Sequence, residues 1–295
     1  MKLIIALMIW SMTLMAQANT LEKIRNTGVI TLGYRDANIP FSYLDGNQRP
    51  VGYGMDICYN IISDIQKIPG MPKIEIKYQL LTSANRIPML VNGTIDIECA
   101  SSTNTVERQK MVSFGSTVFV TVSSFAYKTN SAIRKIPDLK GKTVVGVAGA
   151  TNLTHMAKIN NERNLGITMV SARDRAEAFL MLINGRADAM VDDNILLAGL
   201  IANSGMSGSI AVSDDALWAP EPYGFMIRKD DPAFKKAVDS TIQMLSRTKK
   251  INALHDKWFT KPIPPNGVNL NFPIDQSLKK TFMNPTDSAD PSHYQ

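Results

Sequence analysis

Histidine and cysteine are scarce in this chain: three His and two Cys among 295 residues, none of them clustered at ligand spacing. That leaves no zinc finger, zinc hydrolase, haem attachment site or iron–sulfur framework to argue for, and no metal site is expected. Beyond residues 1–18 no stretch approaches the ~20 consecutive apolar residues needed to span a bilayer, which excludes an integral membrane protein. No Lys/Arg run is interleaved with aromatics either. The net charge of +6 is spread along the chain, as distributed surface charge would be, and no nucleic-acid partner is expected. Gly146 and Gly149 lack the third glycine and the downstream βαβ context of a dinucleotide fingerprint, so no nicotinamide or other cofactor is expected. What is present is 44% hydrophobic and 20% charged residues, the balance of a water-soluble globular protein, in a length that suits two domains.

The amino terminus reads as an address. Met1 and Lys2 precede the apolar run Leu3 to Met15, and Ala16, Gln17 and Ala18 supply the small-x-small pattern at which a secretory signal peptide is cleaved. Residues 1–18 are expected to be removed after Ala18 and the mature chain to begin at Asn19; a buried helix or a retained anchor is the bland alternative. Export would place Cys58 and Cys99 where disulfides can form. Cys58 also shares an apolar helix face with Met55, Ile61 and Ile65, and Cys99 closes an apolar strand, so two buried thiols are as reasonable as a bridge.

Strand patterns at Val29 to Gly33, Ile74 to Leu80, Thr94 to Ile97, Thr143 to Val147, Thr168 to Val170 and Ala187 to Val191 alternate with helical ones. The helices are read at Gly54 to Gln66, Arg86 to Val91, from Thr151, and at Arg175 to Asn184. Such βα alternation implies parallel sheets covered by helices. The β-branched and aromatic run Thr117 to Lys128 gives way to the polar stretch Thr129 to Lys142, a crossover between domains. Tyr223 to Arg228 reads as the return strand, with Asp231 capping and Pro232 opening the next helix. The expected architecture is α/β with two domains: a discontinuous first domain, 19–126 plus 226–295, and an inserted second, 127–225. Two extended segments would form a hinge, and the ligand cleft would lie between the domains, outside the carboxyl ends of the strands. The polar tail from Asn284 to Gln295 is expected to be loose.

Candidate site residues fall at those strand ends and helix starts. Arg35 follows the first strand, where it could reach over the sheet edge or remain a solvated loop residue. Asn85 can cap a helix, leaving Ser83 and Arg86 near its positive end, a setting for a carboxylate; pairing of Arg86 with a surface acid is the plain alternative. Ser101, Ser102, Thr103 and Asn104 follow a strand, Asn104 with Glu107 can form a capping box, and the helix presents Arg108 about one turn in. Hydroxyls, free N–H groups and a guanidinium capable of two parallel hydrogen bonds make this a strong anion seat. Gly149, Ala150 and Thr151 repeat the logic in the second domain. Asp192 and Asp193 end a strand, where one could bind an ammonium while the other caps the following helix. Arg175 opens the preceding helix and could join the cleft or face solvent.

These residues carry a resemblance. Val51-Gly-Tyr-Gly-Met-Asp-Ile57, Arg86-Ile-Pro, Ser101-Ser-Thr-Asn-Thr-Val-Glu-Arg108, Gly149-Ala-Thr151 and Gly185-Arg-Ala-Asp-Ala-Met-Val-Asp-Asp193 resemble, in order and over nearly the whole mature chain, the family 3 extracellular solute-binding proteins. Asn85-Arg-Ile-Pro, Glu98-Cys-Ala-Ser, Val106-Glu-Arg-Gln, Arg228-Lys-Asp-Asp-Pro, and Pro262-Ile-Pro-Pro with Asn269-Leu-Asn-Phe are similar to the glutamate/aspartate-binding members that serve ABC importers. The resemblance implies a periplasmic monomer that closes over an acidic amino acid and delivers it to a membrane permease, without catalysis. It implies that Arg108, Thr103 and Thr151 hold the α-carboxylate, Asp193 and the Ser101 region the α-ammonium, and Arg35, Ser83 and Arg86 the side-chain carboxylate. Arg175 stands where those relatives have histidine, Ala150 where they have threonine, and Gly54 where the signature has a polar or acidic residue. The other readings are a receptor for a neutral polar amino acid such as glutamine or asparagine, a periplasmic enzyme on the same fold resembling a cyclohexadienyl dehydratase, and a sensor module docking to a separate receptor.

Overall fold

The computed structural model describes residues 19–295; the expected signal peptide, residues 1–18, lies outside them. One lobe is built from α1 (Thr20–Thr27), β1 (Val29–Tyr34), a small antiparallel sheet of β2 (Ala37–Asn38), β3 (Ser42–Leu44) and β4 (Pro50–Val51), then α2 (Tyr53–Gln66), β5 (Glu75–Leu80), α3 (Arg86–Val91), β6 (Ile97–Glu98), α4 (Val106–Gln109) and β7 (Val112–Phe114). After β8 (Phe119–Thr121) the chain builds a second lobe from β9 (Ser123–Lys128), β10 (Thr143–Val147), α5 (Thr151–Arg163), β11 (Thr168–Ala172), α6 (Arg175–Ile183), β12 (Ala189–Asp193), α7 (Asn194–Ser204) and β13 (Ile210–Val212). It returns through β14 (Glu221–Tyr223) to β15 (Met226–Arg228), α8 (Pro232–Arg247), α9 (Lys250–Phe259) and α10 (Gln276–Met283).

Each lobe holds a five-stranded sheet, ordered β5-β1-β6-β15-β7 in the first and β11-β10-β12-β9-β13 in the second. The plan is the same in both. Three parallel strands, whose direction requires helical crossovers, are followed by one strand antiparallel to its two neighbours: β15 in the first sheet and β9 in the second. The strands that bring the chain across and back, β8 and β14, pair with each other, Thr121 opposite Glu221 and Phe119 opposite Tyr223.

Two expected strands are broken at this crossing. The run Thr117 to Lys128 splits at Val122, and Tyr223 to Arg228 splits at Gly224 and Phe225. In each, one half joins the β8–β14 ladder and the other a main sheet, because one ladder cannot follow two sheets. The expected boundary after residue 126 therefore falls inside β9. Phe119 and Tyr223 anchor the crossing in the first lobe: both pack on Phe41, with ring centroids 4.9 and 5.2 Å away, and Phe119 stacks on Phe259 at 5.0 Å.

Cys58 and Cys99 are bridged, with their Cα atoms 6.1 Å apart. The bond ties α2 to the end of β6, so the bridge, rather than two buried thiols, is what holds. The tail is not loose. Thr117 N–H donates to Thr286 O at 2.7 Å, the Asn104 and Gln109 amides both donate to Asp287 O, and Tyr294, only 1% exposed, shares a 2.8 Å hydrogen bond with the Thr117 hydroxyl. Its polar residues find partners on the first lobe, which composition alone cannot reveal.

The lobes touch at two glycines. A Cβ on Gly149, whose φ is +79°, would lie 2.9 Å from both Ser83 O and Ala84 Cα; one on Gly199 would lie 2.4 Å from Ile39 O. Both obstacles are backbone atoms of the opposite lobe.

Candidate functional site

The carboxyl ends of the two sheets face one another across this contact. From the first lobe, Arg35 follows β1, Ser83 precedes α3, Arg86 is its first residue, Ser101 and Thr103 follow β6, and Arg108 lies in α4; from the second come Thr151 and Arg175 at the starts of α5 and α6 and Asp193 at the end of β12. Arg35, Arg86, Arg108, Arg175 and Asp193 are all buried, which removes the solvated-loop and surface-pair readings for them.

Local structure explains how they are aimed. Arg108 is set by a cap, but not by the expected Asn104–Glu107 box: the Thr105 hydroxyl accepts the Arg108 N–H at 3.2 Å, while Asn104 is taken up by the tail and Gln109. The Arg108 guanidinium donates to Thr103 O at 2.7 Å and, across the cleft, to Gly149 O at 3.2 Å. Asn85 occupies the cap position of α3 without a side-chain bond to the helix; its Oδ1 accepts the Thr82 N–H at 2.8 Å. Arg35 donates to the Ser83 hydroxyl at 3.1 Å. Arg86 donates to the Ser102 hydroxyl and lies 3.8 Å from the buried Glu98 carboxylate.

This is a strongly electropositive setting. Burial, followed by repulsion from Arg175 and Arg86, pulls the Arg35 pKa down to about 9; burial and Arg86 do the same to Arg108, also to about 9. Burial lowers that of Arg86 as well, with Glu98 opposing it. Guanidinium groups keep their proton at neutral pH, so these shifts express first the cost of burying the charge and then the repulsion among the arginines, both of which a bound anion would relieve.

Arg175 differs. Burial disfavours its charge, but Asp192 outweighs that and raises its pKa. Its Nη2 donates to Asp192 Oδ1 at 3.0 Å, its Nε lies 2.6 Å from Asp192 Oδ2, and its Nη1 donates at 2.7 Å to Asn38 Oδ1 of the first lobe. Asn38 in turn donates to the Ser101 hydroxyl at 2.9 Å. Arg175 therefore arrives with its own counter-ion and spans the two lobes.

The two aspartates divide their work. Asp192 pairs with Arg175, whereas Asp193 accepts from Asn152 Nδ2 at 2.8 Å and from the Tyr223 hydroxyl. Neither caps α7 with its side chain in the expected way: Asp193 holds the cap position with no side-chain bond to the helix. Thr103 and Thr151 bring their hydroxyls to 3.5 Å across the cleft. Asn38, Glu98, Asn152, Glu221 and Tyr223 are the residues of the candidate site that pattern reasoning missed. An acid inside the apolar strand Ile97–Glu98 was the available signal for Glu98; Tyr223 looked like a core aromatic, which its ring is. Among the described residues no group of three or more His, Cys, Asp or Glu could hold a metal ion.

The two-lobed α/β architecture, the matching sheet plans and the arginine-lined interlobe cleft go together with a match of residues 30–261 to the family model of the bacterial extracellular solute-binding proteins, family 3. The chain belongs to that family. Among its relatives is an L-glutamate/L-aspartate-binding protein of Pseudomonas aeruginosa, 43% identical over 92% of this chain and 89% of its own length. A glutamate/aspartate import solute-binding protein of Salmonella typhimurium is 40% identical over 93% of this chain and 90% of its own. In three dimensions this family 3 chain is similar to a mutant of ArgBP from T. maritima, with a TM-score of 0.71 and 27% identity over 81% of this chain and 98% of the other.

Proposed function

We propose that this family 3 protein is the periplasmic receptor of an ABC importer for acidic amino acids, closing its two lobes over glutamate or aspartate and presenting them to a membrane permease. The observation that carries the reading is the partition of charge in the cleft: buried arginines from the first lobe and, from the second, Asp193, the buried aspartate that is left over once Asp192 has paired with Arg175. A dicarboxylic amino acid has the complementary pattern of two negatives and one positive. Arg108, with Thr103 and Thr151, would hold the α-carboxylate, and Asp193, with the Ser101 region, the α-ammonium. Arg35, Ser83 and Arg86 would hold the side-chain carboxylate. Arg175, already balanced by Asp192, would add little to the pull on the ligand and instead help hold the lobes together through Asn38. The ligands for which the Pseudomonas and Salmonella relatives are named support the same class. Residues 1–18 would direct export and leave after Ala18, and the mature protein would work as a monomer without chemical change to its ligand.

Calorimetric titration of ligand-stripped protein with glutamate, aspartate, glutamine and asparagine tests this. The acids are expected to bind and the amides to bind at least about tenfold more weakly. Equal affinity for acids and amides would overturn the acidic preference. Each ligand should be recovered unchanged; an altered product would turn the reading towards a lyase, which needs a placed acid of its own.

A further inference from the structure

Glu221 lies beside the proposed ammonium site without a role in it. Residues alternate along a strand, so Glu221 and Tyr223 of β14 share a side, and the Tyr223 hydroxyl donates to Asp193. Glu221 is only 3% exposed, and among the described residues neither of its carboxyl oxygens makes a well-formed hydrogen bond. The groups around it come from four elements: Asp193 of β12, Tyr223 of its own strand, Thr151 and His155 of α5, and Arg108 of α4.

None of the cations among these forms a hydrogen-bonded ion pair with it. His155 Nδ1 is 3.8 Å from Glu221 Oε2, beyond hydrogen-bond range; the ring stacks on Trp218 at 4.6 Å, and burial, then Arg108 and Lys158, press its pKa down to about 4. Arg108 attracts the negative charge of Glu221, but its guanidinium donates to two carbonyl oxygens and forms no hydrogen bond with the carboxylate. Asp193, which the Tyr223 hydroxyl reaches, and Glu221, two residues along on the same side of β14, are thus neighbouring buried carboxyls, and such a pair cannot both ionise cheaply.

We propose that Asp193 and Glu221 share one proton in the ligand-free protein, and that the ammonium of an incoming amino acid displaces it, making Glu221 a second acid of the ammonium site. The carboxyl O–H bond breaks, its proton passes to solvent, and the ammonium keeps all three of its protons and donates to both carboxylates. Burial raises the pKa of both groups: repulsion from Asp192 adds to it at Asp193, against the pull of Tyr223, Asn152 and Arg175, and repulsion from Asp193 adds to it at Glu221, which is held well above its ordinary value. The inference rests on the ligand being an amino acid with its ammonium at Asp193; it does not depend on which side chain follows.

Titration of the wild-type protein with glutamate, and separately with glutamine, in buffers of different ionisation enthalpy reads the proton directly. The expected result is release of about one proton per ligand below the shared pKa, with the same release for whichever of the two ligands binds, and affinity that rises about tenfold per pH unit in that range. Glu221→Gln should bind more weakly and release none. A binding enthalpy independent of buffer together with a pH-independent Kd in the wild type would overturn the inference while leaving the receptor reading standing; so would undiminished release from a folded Glu221→Gln variant. Failure of every amino acid to bind would overturn both. The wild-type pH series decides the matter even if the variant does not fold.

Discussion

Arg108→Ala is expected to reduce binding of every amino acid, acid or amide, by more than three orders of magnitude in Kd. The α-carboxylate is common to all of them, and a guanidinium can meet it with two parallel hydrogen bonds. Removing one partner of a buried, hydrogen-bonded charge pair costs about 2 to 5 kcal/mol; a two-bond contact belongs at the upper end, where ~4 kcal/mol is already a thousandfold. Arg108 also donates to Gly149 O of the second lobe, so its loss weakens the closed arrangement as well as the ligand contact. Arg108→Lys should recover only part, because an ammonium cannot reproduce the planar fork. Isothermal titration with glutamate and glutamine checks this, and a variant that kept wild-type affinity would move the α-carboxylate elsewhere.

Arg35→Ala and Arg86→Ala are expected to act selectively. Each should weaken glutamate and aspartate by about 100-fold and the amides by less than about tenfold, since only the acids place a second charge against these side chains. The two variants are not equivalent. Arg86 lies 3.8 Å from Glu98, so its removal also strands a buried acid and should lower the Tm. Arg35 has only the Ser83 hydroxyl as a side-chain partner of its guanidinium among the described residues; it gives the cleaner measure of ligand charge recognition. Parallel titrations with acid and amide, alongside thermal melts, separate the two effects, and equal losses for both ligands would sink the side-chain assignment.

Much of the candidate site was legible because its residues sit where local rules are strong. Arg86 opens a helix, Arg108 lies one turn inside another, and Asp193 ends a strand; each position follows from hydrophobic periodicity and the end groups of helices. The rest depends on partners distant in the chain. That Asp192 rather than Asp193 would take Arg175 could not be read from two adjacent acids. Asn38 belongs to a strand of two residues, too short to show periodicity, and it matters only because α6 is brought against it. Glu221 and Tyr223 acquire their roles through the β8–β14 ladder and the apposition of the lobes. The Asn104 cap failed for a similar reason: the tail competes for the same side chain, and Thr105 is left to cap the helix.

The absence of side chains at Gly149 and Gly199 sets the distance at which the lobes stop. Their Cβ positions are occupied by backbone of the opposite lobe, which, unlike a flexible side chain, cannot swing aside. A methyl group at either point would work as a doorstop. Gly199→Ala changes no residue assigned to the ligand, yet it should hold the jaws ajar, and small-angle X-ray scattering should then record less compaction on adding glutamate than in the wild type. Such a protein would uncouple capture from presentation to the permease, and the width of a single methyl would be the gauge of how fully the receptor must shut to be recognised as loaded.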